Sequence, residues 1–164
     1  MGYTHYFTPK KASPKKWGEL LKQVKKLHEA LPANTDTAGG YSSNDPLTIK
    51  GGLGKGEPEF SKKVICFNGD GDKGLDHETF IIEPDVTDWN FCKTARKPYD
   101  LLVCAVLIAT RSILNYEVSS DGNLDDWTPA IIFYIDTFYD GKSLSHEEKE
   151  KLLNKIFHMT LEKN

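Results

Sequence analysis

The run YDLLVCAVLIATRSIL at residues 99–114 decides the fold. Its aliphatic residues fall on nearly every face of a helix, so the helix must be covered on several sides and stand at the centre of a core. Pro98 precedes it, and a proline ring suits the first helical position, where the missing N–H costs nothing. The reading therefore starts this helix at Pro98. Immediately upstream, FCKTARK (91–97) sets Lys93, Arg96 and Lys97 at the electropositive helix start, where acids ordinarily stand. That reversal predicts an anion held by free backbone amides and these cations, with the planar fork of Arg96 gripping two oxygens. The competing use of the same cations is pairing with Asp88 or Asp100, or plain solvation.

Outward from this helix the elements alternate loosely. YTHYF (3–7) predicts a first strand, and Ser13-Pro14 opens a helix striped by Trp17, Leu20, Leu21, Val24, Leu27 and Leu31 that ends before Pro32. Residues 33–60 are rich in Gly, Ser and Asn and predict a flexible loop holding one short strand, LTIK at 47–50. VICFNG (64–69) and ETFIIEP (78–84) predict a hairpin, and NYEVSS (115–120) a further strand. Asp125 or Asp126 caps a helix through TPAIIFYIDTFY closed by Gly141, and the Ser145/Glu148 box opens a C-terminal helix striped by Leu152, Leu153, Ile156, Phe157 and Leu161. The sum is an α+β single domain over residues 1–164. It has a mostly antiparallel sheet of four or five strands packed with about four helices.

Bulk properties bound the function. The chain has 164 residues, 38% of them hydrophobic, and a net charge of -3, which suits one globular core and leaves no basic field for a nucleic acid polymer. Three cysteines without C-x-x-C spacing predict free thiols, with no disulfide framework and no metal site. MGYTHYFTPKK lacks the apolar stretch of a signal peptide, and no run is long enough to span a bilayer, so a cytoplasmic protein is expected.

Several constellations carry candidate chemistry. His5 lies on a strand among aromatics, with Thr4 and Tyr6 on the opposite face, and suits stacking, hydrogen bonding or acid-base work. A half-buried structural histidine is the plainer use. NGDGDKGLDHE (68–78) fails the calcium-loop pattern because Lys73 stands where glycine is required and Thr79 where glutamate is. His77 and Glu78 are left as residues facing a pocket or a solvated turn. GGLGKG (51–56) matches no phosphate-loop pattern, and SSDG (119–122) offers Ser120 and Asp121 as hydrogen-bonding groups at a strand end. Nothing identifies a nucleophile, and no cofactor is expected.

Taken in order, MGYTHYF, FNGDG, HETF, FCKTARKPYD and VSSDG resemble a family of small, uncharacterised bacteriophage and bacterial proteins, over residues 1 to about 126. The resemblance implies a phage context, in which small proteins antagonise host defence, sometimes by sequestering nucleotide-derived signals. It marks His5, Asn68, His77, Glu78, Lys93, Thr94, Arg96, Lys97, Tyr99, Ser120 and Asp121 as motif positions, a polar and aromatic set of the kind that lines ligand pockets. The expectation is a binding module for a small phosphorylated, nucleotide-like ligand. In it Lys93, Arg96 and Lys97 take the anion, and Tyr6, Phe91 or Tyr99 stack on a flat ring. Two alternatives stand beside it: a hydrolase or lyase using His5 or His77 with Glu78 or Asp121, and a protein-protein inhibitor using Trp89 or Trp127. Self-association is left open.

Overall fold

In the computed structural model, which describes residues 2–35, 44–139, 145, 147 and 148, the elements run β1 (Thr4–Thr8), α1 (Pro14–Ala30), β2 (Glu59–Phe60), β3 (Ile65–Phe67), β4 (Phe80–Ile82), β5 (Asn90–Lys93), α2 (Asp100–Leu114), β6 (Glu117–Ser120) and α3 (Leu124–Phe138). The α+β class stands. The expected single sheet is instead two antiparallel three-stranded sheets, ordered β5-β1-β6 and β2-β3-β4. The reason is that β5 and β2, neither of them expected, complete one sheet each. LTIK is no strand; this stretch makes only isolated bridges, Asn34 with Pro46 and Lys50 with Asn68.

Apolarity on every face has the expected outcome in α2, where twelve of fifteen residues are buried. It packs between α1, which contributes Trp17, Leu20, Leu21, Val24 and Leu27, and α3, which contributes Trp127, Ala130, Ile131, Tyr134 and Ile135. The helix ends at Asn115 in the left-handed conformation (φ 58°), one of the few residues that tolerate it without being glycine.

The boundaries correct the reading in two places. α2 begins at Asp100 rather than Pro98, because the chain first makes tight turns: the Asp100 amide donates to the Lys97 carbonyl at 2.9 Å and the Leu101 amide to the Pro98 carbonyl at 3.3 Å. α3 is capped by Asn123, not by Asp125 or Asp126; Asn123 Oδ1 accepts from the Asp126 amide while Asp126 Oδ2 accepts from the Asn123 amide, a reciprocal box. Ser13 caps α1 as expected, its hydroxyl accepting from the Lys16 amide. At the C-terminal box the Glu148 amide donates to Ser145 Oγ at 3.2 Å, and the expected Leu152–Leu161 stripe lies outside the described residues, as does Gly141. No helix among the described residues is long and apolar enough to cross a membrane.

Candidate functional site

The sheet β5-β1-β6 separates two chemically different faces. Strand alternation sends His5 and Phe7 of β1, and Tyr3 just before it, inward with Cys92 of β5 and Ser120 of β6, all buried, and sends Tyr6, Phe91, Lys93, Glu117 and Ser119 outward. The strand pairing aligns Tyr6 with Phe91 on one side and with Ser119 on the other.

Inward, His5 is fully buried and lies over the first turn of α2. Its Nε2 stands 2.6 Å from Asp100 Oδ1 and its Nδ1 2.7 Å from Ser120 Oγ. The Gly122 amide donates to Ser120 Oγ, and because the Asp100 carboxylate can only accept, the imidazole proton sits on Nε2 facing it and the serine hydroxyl donates to Nδ1. Thr94 Oγ1 donates to the same Asp100 Oδ1 at 2.6 Å, and Cys104, one helical turn on, lies 3.4 Å from Nε2 and 3.6 Å from Asp100 Oδ2. Burial first, and then the Asp100 carboxylate, push the Cys104 thiol well above its ordinary value. Tyr3 and Trp127 meet the His5 ring edge-on at 5.0 and 5.1 Å. A Ser–His–Asp order of hydrogen bonds is present, with the ring nitrogens exchanged relative to the usual triad, but the imidazole has no exposed surface.

The KTARK segment does not form an open anion site at the helix start. Thr94 to Lys97 make a tight turn, closed by the Lys97 amide donating to the Thr94 carbonyl at 3.0 Å, with Ala95 and Arg96 both left-handed (φ 51° and 57°). The first-turn amides of α2 already donate to the carbonyls of Lys97, Pro98 and Tyr99, so these groups, which would receive an anion, are spent inside the chain. Arg96 lies 3.9 Å over the Tyr3 ring and bonds Asp126 Oδ1 at 3.1 Å, while Lys97 Nζ donates to the Gly74 carbonyl. Of the three cations only Lys93 faces outward on the sheet, its Nζ 5.7 Å over the Phe91 ring.

The central motifs are knitted together in the same way. Buried Asn68 accepts from the Gly69 and His77 amides and donates to the His77 carbonyl and Thr79 Oγ1, clamping the 69–77 turn shut. Gly69 is required there, since a Cβ would sit 2.0 Å from the Leu75 carbonyl oxygen. Glu78 accepts the Lys93 amide on Oε2 at 2.7 Å, and its carbonyl accepts from Tyr99 Oη at 2.6 Å, so Glu78 and Tyr99 fasten the hairpin region to β5 and α2. His77 is exposed and takes part through its backbone. Asp121 accepts from the Thr4 amide and from Tyr6 Oη, both at 3.0 Å.

The outer face holds what the motif reading weighed least. Trp89, just before β5, is 59% exposed and lies nearly parallel to the Tyr6 ring (15°, centroids 6.0 Å apart), with Phe91, itself 39% exposed, 5.6 Å from Trp89. Beside these rings is a cavity of about 390 Å³ lined by Tyr6, Thr8, Trp89, Arg111, Glu117 and Ser119, among others. Arg111 reaches it from the end of α2 while donating to the Tyr116 carbonyl. A larger concavity, about 740 Å³, opens at the start of α1 against Ala12, Pro14, Trp17, Leu21 and Pro84; it contains none of the twelve positions chosen from the sequence for ligand binding, and Trp17, the one aromatic ring among its described lining residues, is buried.

The twelve sequence-derived positions thus divide. His5, Thr94 and Ser120 join the inner cluster, Asn68, His77, Glu78 and Tyr99 bind chain to chain, Arg96 and Lys97 are engaged at the turn, and Tyr6, Lys93 and Asp121 stand at the outer face. Asp100 and Cys104 were overlooked as partners of His5; an acid and a thiol one turn apart at a helix start was the available signal. Trp89, Phe91 and Lys93 at every second position likewise announce one face of a strand. Searches against protein-family models, curated proteins and solved structures found no match to this chain.

Proposed function

We propose that this protein is a small-molecule binding module whose outer aromatic face receives a flat, phosphorylated, nucleotide-like ligand. The observation that supports it is Trp89, more than half exposed and held parallel to Tyr6 beside a cavity that Arg111 also lines. Large rings left in water forgo the gain from burial, and a stacked base recovers it; stacking of one base on an aromatic contributes about 1–3 kcal/mol. Lys93 and Arg111 supply positive charge for a phosphate, and Ser119 and Glu117 offer partners to sugar hydroxyls. Compared with the sequence expectation, the ring-stacking role of Tyr6 and Phe91 is kept without the buried Tyr99, and the anion role stays with Lys93 and passes from Arg96 and Lys97 to Arg111. The resemblance to phage proteins adds sequestration of a signalling nucleotide as the biological setting.

Native mass spectrometry of protein purified from cells, followed by thermal shift across a nucleotide panel, tests this. A co-purified or stabilising nucleotide whose effect disappears in Trp89→Ala is the expected result. Absence of both in the wild type overturns it. The hydrolase alternative has one observation behind it, the Ser120–His5–Asp100 chain, and predicts a ligand released chemically changed; the binding reading predicts release of the intact ligand.

A further inference from the structure

We propose that His5, Asp100 and Cys104 are the ligands of a buried zinc-type divalent cation. Their candidate donor atoms all lie within 4.8 Å of one another, and all three residues are buried. Bond lengths to zinc of about 2.3 Å for sulfur and about 2.0–2.1 Å for nitrogen and oxygen, arranged tetrahedrally, place sulfur roughly 3.5 Å from each of the other two donors. Cys104 Sγ lies 3.4 Å from His5 Nε2 and 3.6 Å from Asp100 Oδ2, close to those edges. Asp100 Oδ2 is thus the ligating oxygen, and Oδ1 keeps its bond from Thr94 Oγ1.

Two further features belong to metal ligands. The outward nitrogen of His5 is fixed by Ser120 Oγ, and the second carboxylate oxygen by Thr94, so both ligands are oriented from behind. Ligand spacing also fits: Asp100 and Cys104 occupy successive turns on one side of α2 and face the strand that carries His5.

The protons balance as follows. Metal-free, Nε2–H faces Asp100 and Cys104 holds its thiol proton. On binding, the imidazole proton moves to Nδ1 and donates to Ser120 Oγ, Nε2 and the carboxylate bond the metal, and the thiol proton leaves to solvent. One divalent cation then meets one carboxylate and one thiolate, and the buried site becomes neutral, which is what makes a cation tolerable at this depth. Three protein ligands leave one coordination position for a further group.

Titration of chelator-treated protein with Co²⁺ decides the matter, with zinc analysis of protein grown in zinc-supplemented medium beside it. The expected result is about one cation per chain, a near-ultraviolet thiolate-to-cobalt band, and about one proton released per cation. Cys104→Ser, close to isosteric, removes the band, whereas the double variant Cys66→Ser/Cys92→Ser keeps it. Should Cys104→Ser fail to fold by circular dichroism, the wild type still decides: less than about a tenth of a cation per chain and no band overturn the site. A band that survives in Cys104→Ser and vanishes in the double variant overturns it as well. Neither readout depends on a nucleotide, so the outer face is tested separately.

Discussion

The two faces of the sheet β5-β1-β6 are a few ångströms apart and obey opposite rules. On the inner face the polar groups of His5, Ser120, Thr94 and Asp100 are fully enclosed and bonded to one another. On the outer face Tyr6, Trp89 and Phe91 are apolar rings left partly in water. Each face reverses the usual placement of residue types, so each marks something beyond packing. Metal-free, the inner groups are already bonded to one another, and the guest proposed for them is a bare cation rather than a flat ligand. The unsatisfied rings of the outer face are the better pointer to such a ligand.

The largest expected consequence lies inside. Asp100→Ala strands the His5 ring and the Thr94 hydroxyl in the core, and loss of one partner from a buried pair costs about 3–5 kcal/mol. Chemical denaturation is expected to show that loss or outright failure to fold; a change under about 1 kcal/mol would mean the inner face is not an interdependent unit. Outside, Trp89→Ala is expected to move unfolding stability by less than about 0.5 kcal/mol while weakening nucleotide binding by about 1–3 kcal/mol. Calorimetry and melting of the same variant separate the two effects, and a variant that melts early without losing ligand would reverse the assignment.

Alkaline pH addresses the buried groups of the inner side first. Burial, then the Glu78 and Asp100 carboxylates, push the Cys92 thiol up to about 12 from an ordinary 9.0. Between those values the unfolded chain loses a proton that the folded chain keeps, so stability is intact below pH 9.0 and falls as pH rises, by up to about 1.4 kcal/mol per pH unit for this group. Tyr116, raised from 10.0 to about 12 by burial, steepens the decline above pH 10. Melting curves from pH 8 upward are expected to show that decline, and a smaller one in Cys92→Ser. The smallest effect is Tyr116→Phe. Among the described residues the buried Tyr116 hydroxyl has no hydrogen-bond partner, so its removal is expected to leave stability unchanged or raise it by about 1 kcal/mol.

Much of the fold was legible. The apolar run of α2 has no exposed alternative, Ser13-Pro14 fixed the start of α1, and β3 and β4 pair as a hairpin because their apolar residues alternate correctly. What escaped was short or cooperative. β2 is two residues long, and β5 is four, so the alternation of Trp89, Phe91 and Lys93 is too brief to stand as a strand until β1 offers it an edge. The site was half legible. Motif positions do come together in space, but spacing cannot tell whether a polar residue faces a ligand or another segment of the same chain. Asn68 and Tyr99, chosen for pocket chemistry, spend their groups on backbone carbonyls and amides. Arg96 pairs with Asp126, thirty positions away in sequence, rather than with Asp88 or Asp100, the nearby acids the sequence offers.

The central claim, that the outer face and not the inner one meets the nucleotide-like ligand, has a direct test in the indole N–H signals. The chain has three tryptophans, and of these Trp17 and Trp127 are buried while Trp89 is exposed. Titration of nitrogen-15-labelled protein with a nucleoside monophosphate panel is predicted to shift the Trp89 indole signal saturably and leave Trp17 and Trp127 in place. A ligand that moves Trp127, the ring against His5, while Trp89 stays fixed would contradict the account.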